Sequence, residues 1–169
     1  LIYVSGQLGD AGLALLAQQG LYVKQGSLAS LKQRLDRPEP RVELGRAAAM
    51  HSRCAIDLSD GLGSDLGHIC EESGVGALIY LDKLPMSDAV AEYVTESGDW
   101  SLPLSAGDDY ELCMTVPAQH QAAFETAMQQ HDVPVTWIGM IEQGEQVRAM
   151  SPNGDVDAYV ARGYDNFTN

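Results

Sequence analysis

Apolar positions along the chain switch between short continuous runs and helical spacing, and this alternation predicts a mixed sheet packed by helices. A short strand at Tyr3-Val4 runs into a Gly-rich turn, Gly9-Asp10-Ala11-Gly12, then a helix carrying Leu13, Leu15 and Leu16 that Gly20 stops. A second helix from Ser27 bears Leu28, Leu31 and Leu35 until Pro38 and Pro40 break it, and a third runs near Val42 to Met50. Cys54-Ala55-Ile56-Asp57-Leu58 reads as a buried strand. Ser59-Asp60-Gly61 then turns into a helix with Leu62, Leu66, Ile69 and Cys70 on one face, closed by Gly74.

The second half continues in the same rhythm. Val75 to Leu81 predicts a strand, Ser87 to Thr95 a helix with Val90 and Val94 inward, and Tyr110 to Val116 another strand. Pro117 suits the first turn of a helix bearing Phe124, Ala127 and Met128, which Val133-Pro134 ends. Val135 to Ile141 and Val147 to Met150 predict two strands. Pro152-Asn153-Gly154-Asp155 is a turn signal into a last strand at Ala158-Tyr159-Val160. No internal repeat or heptad pattern interrupts the series.

At 169 residues and 45% apolar, the chain fits one domain spanning 1–169. Its formal charge of -14, from 24 acidic and 10 basic side chains without a basic cluster, argues against nucleic acid and anionic membranes as partners. An acidic protein that handles phosphates needs a bridging divalent cation, which directs attention to carboxylates. Cys54, Cys70 and Cys113 are odd in number and lack CxxC spacing, so they read as reduced core thiols. No apolar run is long enough to span a bilayer, and a cytoplasmic location follows by default. The chain opens without Met in what reads as the middle of a strand, so a longer parent protein is expected.

The densest chemistry lies at Asp57-Leu58-Ser59-Asp60-Gly61-Leu62, where a strand gives way to a helix. Such junctions are where α/β folds place ligands. Asp57 and Asp60 can direct oxygens at one Mg²⁺, Ser59 can donate to a phosphate oxygen, and Gly61 lets helix N–H groups approach closely. The alternative is that Ser59 or Asp60 caps the helix and Asp57 is a solvated strand end. There is no GxxxxGK[ST] loop, no HExxH and no EF-hand. The four histidines read as surface or helix-end residues, and Trp100 and Trp137 as packing.

The Asp57–Leu62 stretch resembles the Asp-x-Ser-Asp-Gly-Leu motif of thiamine-monophosphate kinases, within the aminoimidazole-ribotide-synthetase-like ATP-binding family. Gly6-Gln7-Leu8-Gly9-Asp10-Ala11-Gly12, Ala106-Gly107-Asp108-Asp109-Tyr110-Glu111-Leu112 and Gly163-Tyr164 agree with that family in order and spacing. The resemblance implies an α+β fold like the C-terminal domain of aminoimidazole ribotide synthetase, and an ATP- and Mg²⁺-dependent transfer of a phosphoryl group to thiamine monophosphate. It implies Asp57 and Asp60 as magnesium ligands, Ser59 as an ATP contact, and Asp108 and Tyr164 as substrate contacts. It also implies an N-terminal ATP-binding and dimerisation domain as partner, with a homodimer when full-length.

Asp108 stands where the family usually has Glu, so its contact is one methylene shorter, and a plain turn carboxylate is the alternative. Tyr164 could offer its face to a cationic thiazolium ring or simply pack. Two other readings stand beside the kinase. One is a different enzyme of the same family, such as aminoimidazole ribotide or selenophosphate synthetase or a hydrogenase-maturation dehydratase. The other is a non-catalytic nucleotide- or metabolite-binding domain.

Overall fold

The computed structural model describes residues 1–158 apart from Tyr22 and Arg53. Among these residues seven strands form one mixed sheet in the order β2-β4-β1-β5-β3-β6-β7. They are β1 (Ile2–Ser5), β2 (Cys54–Asp57), β3 (Gly76–Tyr80), β4 (Leu112–Thr115), β5 (Val135–Glu142), β6 (Val147–Met150) and β7 (Val156–Ala158). Every pairing is antiparallel except β3 with β6. Seven α-helices accompany the sheet: α1 (Asp10–Gln18), α2 (Gln25–Asp36), α3 (Val42–Ala48), α4 (Leu62–Ser73), α5 (Asp88–Ser97), α6 (Ser101–Ser105) and α7 (Gln121–Met128).

The two-residue period of the central strands sorts side chains to opposite faces. On one face Ile2, Val4, Cys113 and Ile138 meet Leu62, Leu66 and Cys70 of α4. On the other, Tyr3, Met114 and Trp137 meet Leu44 and Ala48 of α3 and Phe124 and Met128 of α7. A third cluster joins Leu13 and Ala14 of α1, Leu31 of α2, Val90 and Val94 of α5, and Leu102 of α6 beside the sheet. Cys70 and Cys113 are buried free thiols and Cys54 is a half-buried one, as their spacing implied. Trp137 packs against Tyr80, with ring centroids 5.4 Å apart, while its Nε1 donates to the Gly139 carbonyl at 2.7 Å.

Four expectations from the pattern need correction. The strand at Cys54–Asp57 is not buried: among the described residues it is the sheet's edge, paired only with β4, and alternate residues are exposed. Its apolar run reflects β-propensity more than depth. The strand expected from Tyr110 begins at Leu112, because Tyr110 takes a left-handed backbone with φ 49° that regular strand geometry does not include. Pro117 does not open an α-helix directly; a 3₁₀ turn over Ala118–His120 intervenes before α7. The short helix α6 was missed because Trp100-Ser101-Leu102-Pro103-Leu104 carries a proline and too few residues for a period to register. The last strand is set at Val156–Ala158, while Tyr159 and Val160 lie outside the described residues.

Leu66 is fully buried between α4 and the sheet. Leu66→Ala is expected to lower the unfolding free energy by about 2–5 kcal/mol, read from a urea titration.

Candidate functional site

The sheet's β2–β4 edge brings the two acidic motifs side by side. β2 and β4 pair through Asp57 opposite Leu112, and backbone bonds carry the ladder past both strand ends. The Leu58 N–H donates to the Glu111 carbonyl at 2.8 Å, the Tyr110 N–H to the Leu58 carbonyl at 2.8 Å, and the Asp108 N–H to the Ser59 carbonyl at 2.9 Å. Two glycines make this approach possible. A Cβ on Gly107 would lie 2.6 Å from the Ser59 oxygen, and one on Gly61 would lie 2.8 Å from the Ser105 backbone. Both have positive φ, 69° and 105°. Asp57, Ser59, Asp60 and Asp108 therefore belong to one interlocked pair of loops.

The capping alternative does not hold. Gly61 is the N-cap of α4, and no side chain caps that end. Asp57 is exposed, Ser59, Asp60 and Asp108 are half-buried, and none of the four side chains hydrogen-bonds or ion-pairs with another described residue. The N–H of Asp60 instead donates to Asp65 Oδ2 at 3.1 Å, so a side chain from the first turn of α4 reaches back to hold the loop. Asp65 is only 3% exposed. Burial raises its pKa above the usual carboxylate range, and the neighbouring Asp60 and Asp57 charges push the same way, against the pull of the Asp60 and Ser59 N–H groups.

An acidic group without a compensating cation suits a hard divalent ion with oxygen ligands. Among the described residues, however, no group of three or more His, Cys, Asp or Glu side chains is placed to hold a metal. Asp57 and Asp60 could supply at most part of a coordination shell, and the rest would have to come from groups other than these side chains. Tyr164 lies outside the described residues.

Beneath the loops lies a buried ionic cluster that sequence reasoning missed. Glu111 is 0% exposed. Its carboxylate accepts from Ser5 Oγ at 2.5 Å, from Arg34 Nη2 at 2.5 Å, and from Arg41 Nε and Nη2 at 2.8 and 2.7 Å. Burial alone would raise its pKa, yet donors from Arg41, Ser5 and Arg34 outweigh burial and hold it below the usual carboxylate value. The backbone at Gly6 passes so close that a Cβ there would lie 2.0 Å from Glu111 Oε1. Asp109 differs. The Gly9 N–H reaches both its oxygens, at 3.0 and 2.9 Å, but burial of the carboxylate dominates and, with Asp10 nearby, pushes its pKa up to about 7. Glu111 and Asp109 sat within the quoted motif, but Arg34 and Arg41 carry no local signal, since they arrive from α2 and from the segment after it.

A mixed sheet with helices on both faces and an acidic, glycine-locked loop pair at one edge defines a mixed α/β domain. Residues 1–151 match the family model described as AIR synthase related protein, C-terminal domain, and the chain belongs to that family. It is 41% identical over 168 residues to the thiamine-monophosphate kinase of Salmonella typhimurium (strain LT2), covering 98% of this chain and 52% of that protein. The thiamine-monophosphate kinase structure from Stenotrophomonas maltophilia K279a is similar at 42% identity and a TM-score of 0.80, over 88% of this chain and 49% of that one. The structure of AaThiL complexed with AMPPCP and TMP is similar at 30% identity and a TM-score of 0.70, over 94% and 50%. The chain spans about half the length of the curated relatives it matches.

Two outcomes follow from the ionic groups. Glu111→Ala leaves two arginines facing each other without their carboxylate, and is expected to cost about 3–5 kcal/mol of stability by chemical denaturation. Because the raised pKa of Asp109 means the folded state binds its proton more tightly, Asp109 favours folding at acid pH and loses that contribution as pH rises from about 4 through about 7. Asp109→Asn should therefore gain stability relative to the parent across that interval, as seen in melting temperatures measured from pH 4 to 8.

Proposed function

We propose that this chain is the C-terminal half of an enzyme that transfers a phosphoryl group from ATP to thiamine monophosphate, giving thiamine diphosphate. The observation that carries this reading is the interlocking of the two acidic loops. It sets the unengaged side chains of Asp57, Ser59 and Asp60 beside Asp108, in a chain 41% identical to a thiamine-monophosphate kinase. That AaThiL is similar and was solved with AMPPCP and TMP supports a nucleotide and thiamine monophosphate as the ligands of the whole enzyme.

In this reading Asp57 and Asp60 hold Mg²⁺, whose chemistry is to screen phosphate charges that the acidic loops would otherwise repel. Ser59 and the N–H groups at the start of α4 orient the nucleotide phosphates. Asp108 and Tyr164 contact the thiamine substrate. The acceptor oxygen belongs to a phosphate already ionised near neutral pH, so no side chain is needed as general base and transfer is direct and in-line. No phosphoenzyme forms. An N-terminal domain completes the nucleotide site and the dimer interface, and the protein works in the cytoplasm. Among the described residues no helix is long and apolar enough to cross a membrane.

The deciding experiment supplies the full-length protein with ATP, Mg²⁺ and thiamine monophosphate and follows ADP and thiamine diphosphate together. Both should appear in equal amounts. Asp57→Asn should reduce the rate by at least about 100-fold with a melting temperature close to the parent's, since Asp57 is an exposed side chain with no hydrogen bond or ion pair among the described residues. ADP without thiamine diphosphate, or an equal loss of rate and stability in the variant, would reject the assignment.

A further inference from the structure

The loop over Gly107–Glu111 alternates in what its side chains do. Asp109 and Glu111 are engaged with the body of the domain, through the Gly9 N–H and through Ser5, Arg34 and Arg41. Asp108 and Tyr110 are not, and both have left-handed backbones, with φ of 59° and 49°. For aspartate that conformation is tolerable, because a short polar side chain adopts it readily. For a bulky aromatic it is strained, and glycine or asparagine would make the same turn at lower cost.

Burial does not offset the strain at Tyr110. The side chain is 39% exposed, and among the described residues its ring stacks on no other ring and its hydroxyl makes no hydrogen bond. What holds it is backbone: its N–H donates to Leu58, and the residue that follows is anchored as Glu111. An exposed, strained aromatic fixed at both sides contributes little to folding, and strain of this kind collects where a side chain must be presented to a ligand.

We propose that Tyr110 is a specificity-determining residue that offers its ring to the positively charged ring of the phosphoryl acceptor. The inference rests on the thiamine monophosphate reading above and deepens it. Asp108, two residues away and without a hydrogen bond or ion pair among the described residues, adds a negative charge beside it that favours a cation at the aromatic face. Attraction between a cation and a tyrosine face corresponds to about a 2- to 30-fold effect on binding. The acceptor's ring gains from this contact and the nucleotide does not.

Steady-state kinetics of the full-length protein and its Tyr110→Phe, Tyr110→Leu and Tyr110→Gly variants test it, with melting temperatures taken in parallel. Phenylalanine should keep the KM for thiamine monophosphate within about 2-fold of the parent, because the ring face is retained. Leucine and glycine should raise that KM by about 2- to 30-fold and leave the KM for ATP unchanged. Tyr110→Gly should at the same time keep or raise the melting temperature, because glycine relieves the positive φ. A tyrosine with a purely structural role would give the reverse, lower melting temperatures with an unchanged KM, and that result overturns the proposal. Equal rises in both KM values would overturn it too, since they mean a disordered loop. A parent enzyme that phosphorylates no thiamine monophosphate sinks the functional reading and this inference together, whereas an active parent with indifferent variants sinks this one alone.

Discussion

Glu111 is a wholly buried carboxylate, and burying such a charge without partners costs several kcal/mol. Its partners come from far along the chain: Ser5 at the end of β1, Arg34 in α2, and Arg41 just before α3. Satisfying one carboxylate therefore fixes where two helices and a central strand sit relative to β4. Among the described residues no buried side-chain nitrogen or oxygen lacks a hydrogen-bond partner, so the cluster is closed. Ser5 extends it, since its hydroxyl oxygen also accepts from the Leu112 N–H at 2.9 Å. The β4 strand thus begins at a residue whose neighbour is immobilised on every side, and the loop before it inherits that rigidity.

Rigidity at Glu111 is what makes the loop geometry upstream possible. Two left-handed non-glycine residues within three positions would relax in a free loop, because each costs of order 1–3 kcal/mol. Here the loop is held from both ends. Glu111 anchors one end, and Gly107 lets the other press against the Ser59 carbonyl. The same contact holds the Ser59–Gly61 turn, with Asp65 bonding the Asp60 N–H from below. Side-chain position in the acidic loops is set by backbone packing between them, and that leaves the functional oxygens themselves uncommitted.

Much of the sheet and most helices were legible because periodicity reports burial, and the strands of this sheet alternate cleanly between the α4 face and the α3–α7 face. Asp57, Ser59, Asp60 and Asp108 were legible as a local pattern of carboxylates at a strand-to-helix junction. Their adjacency was not, because it depends on β2 pairing with β4 across more than fifty residues. Arg34 and Arg41 were invisible for a related reason: on α2 and its exit they look like ordinary surface cations, and only the chain's return brings Glu111 to them. The edge position of β2 was misread because Cys54-Ala55-Ile56 has the composition of an interior strand, and composition does not report how many neighbours a strand has. Tyr110 was misread as strand because aromatic residues favour strands, a preference that the anchored loop overrides.

The acids of this domain divide by environment. Glu111 has two arginines and a hydroxyl, and its pKa is lowered; it supports the fold only while ionised. Asp65 and Asp109 accept hydrogen bonds from backbone N–H groups rather than from arginines, and their pKa values are raised by burial and by neighbouring acids. Asp57 and Asp60 have no counter-charge among the described residues. Moving outward from Glu111 to the loop rim, positive partners run out while carboxylates continue, so Asp57, Asp60 and Asp108 leave a local negative charge where the loops open. A domain organised this way gains little stability from its rim, and what it can gain there is affinity for a cation or for a ligand that carries one.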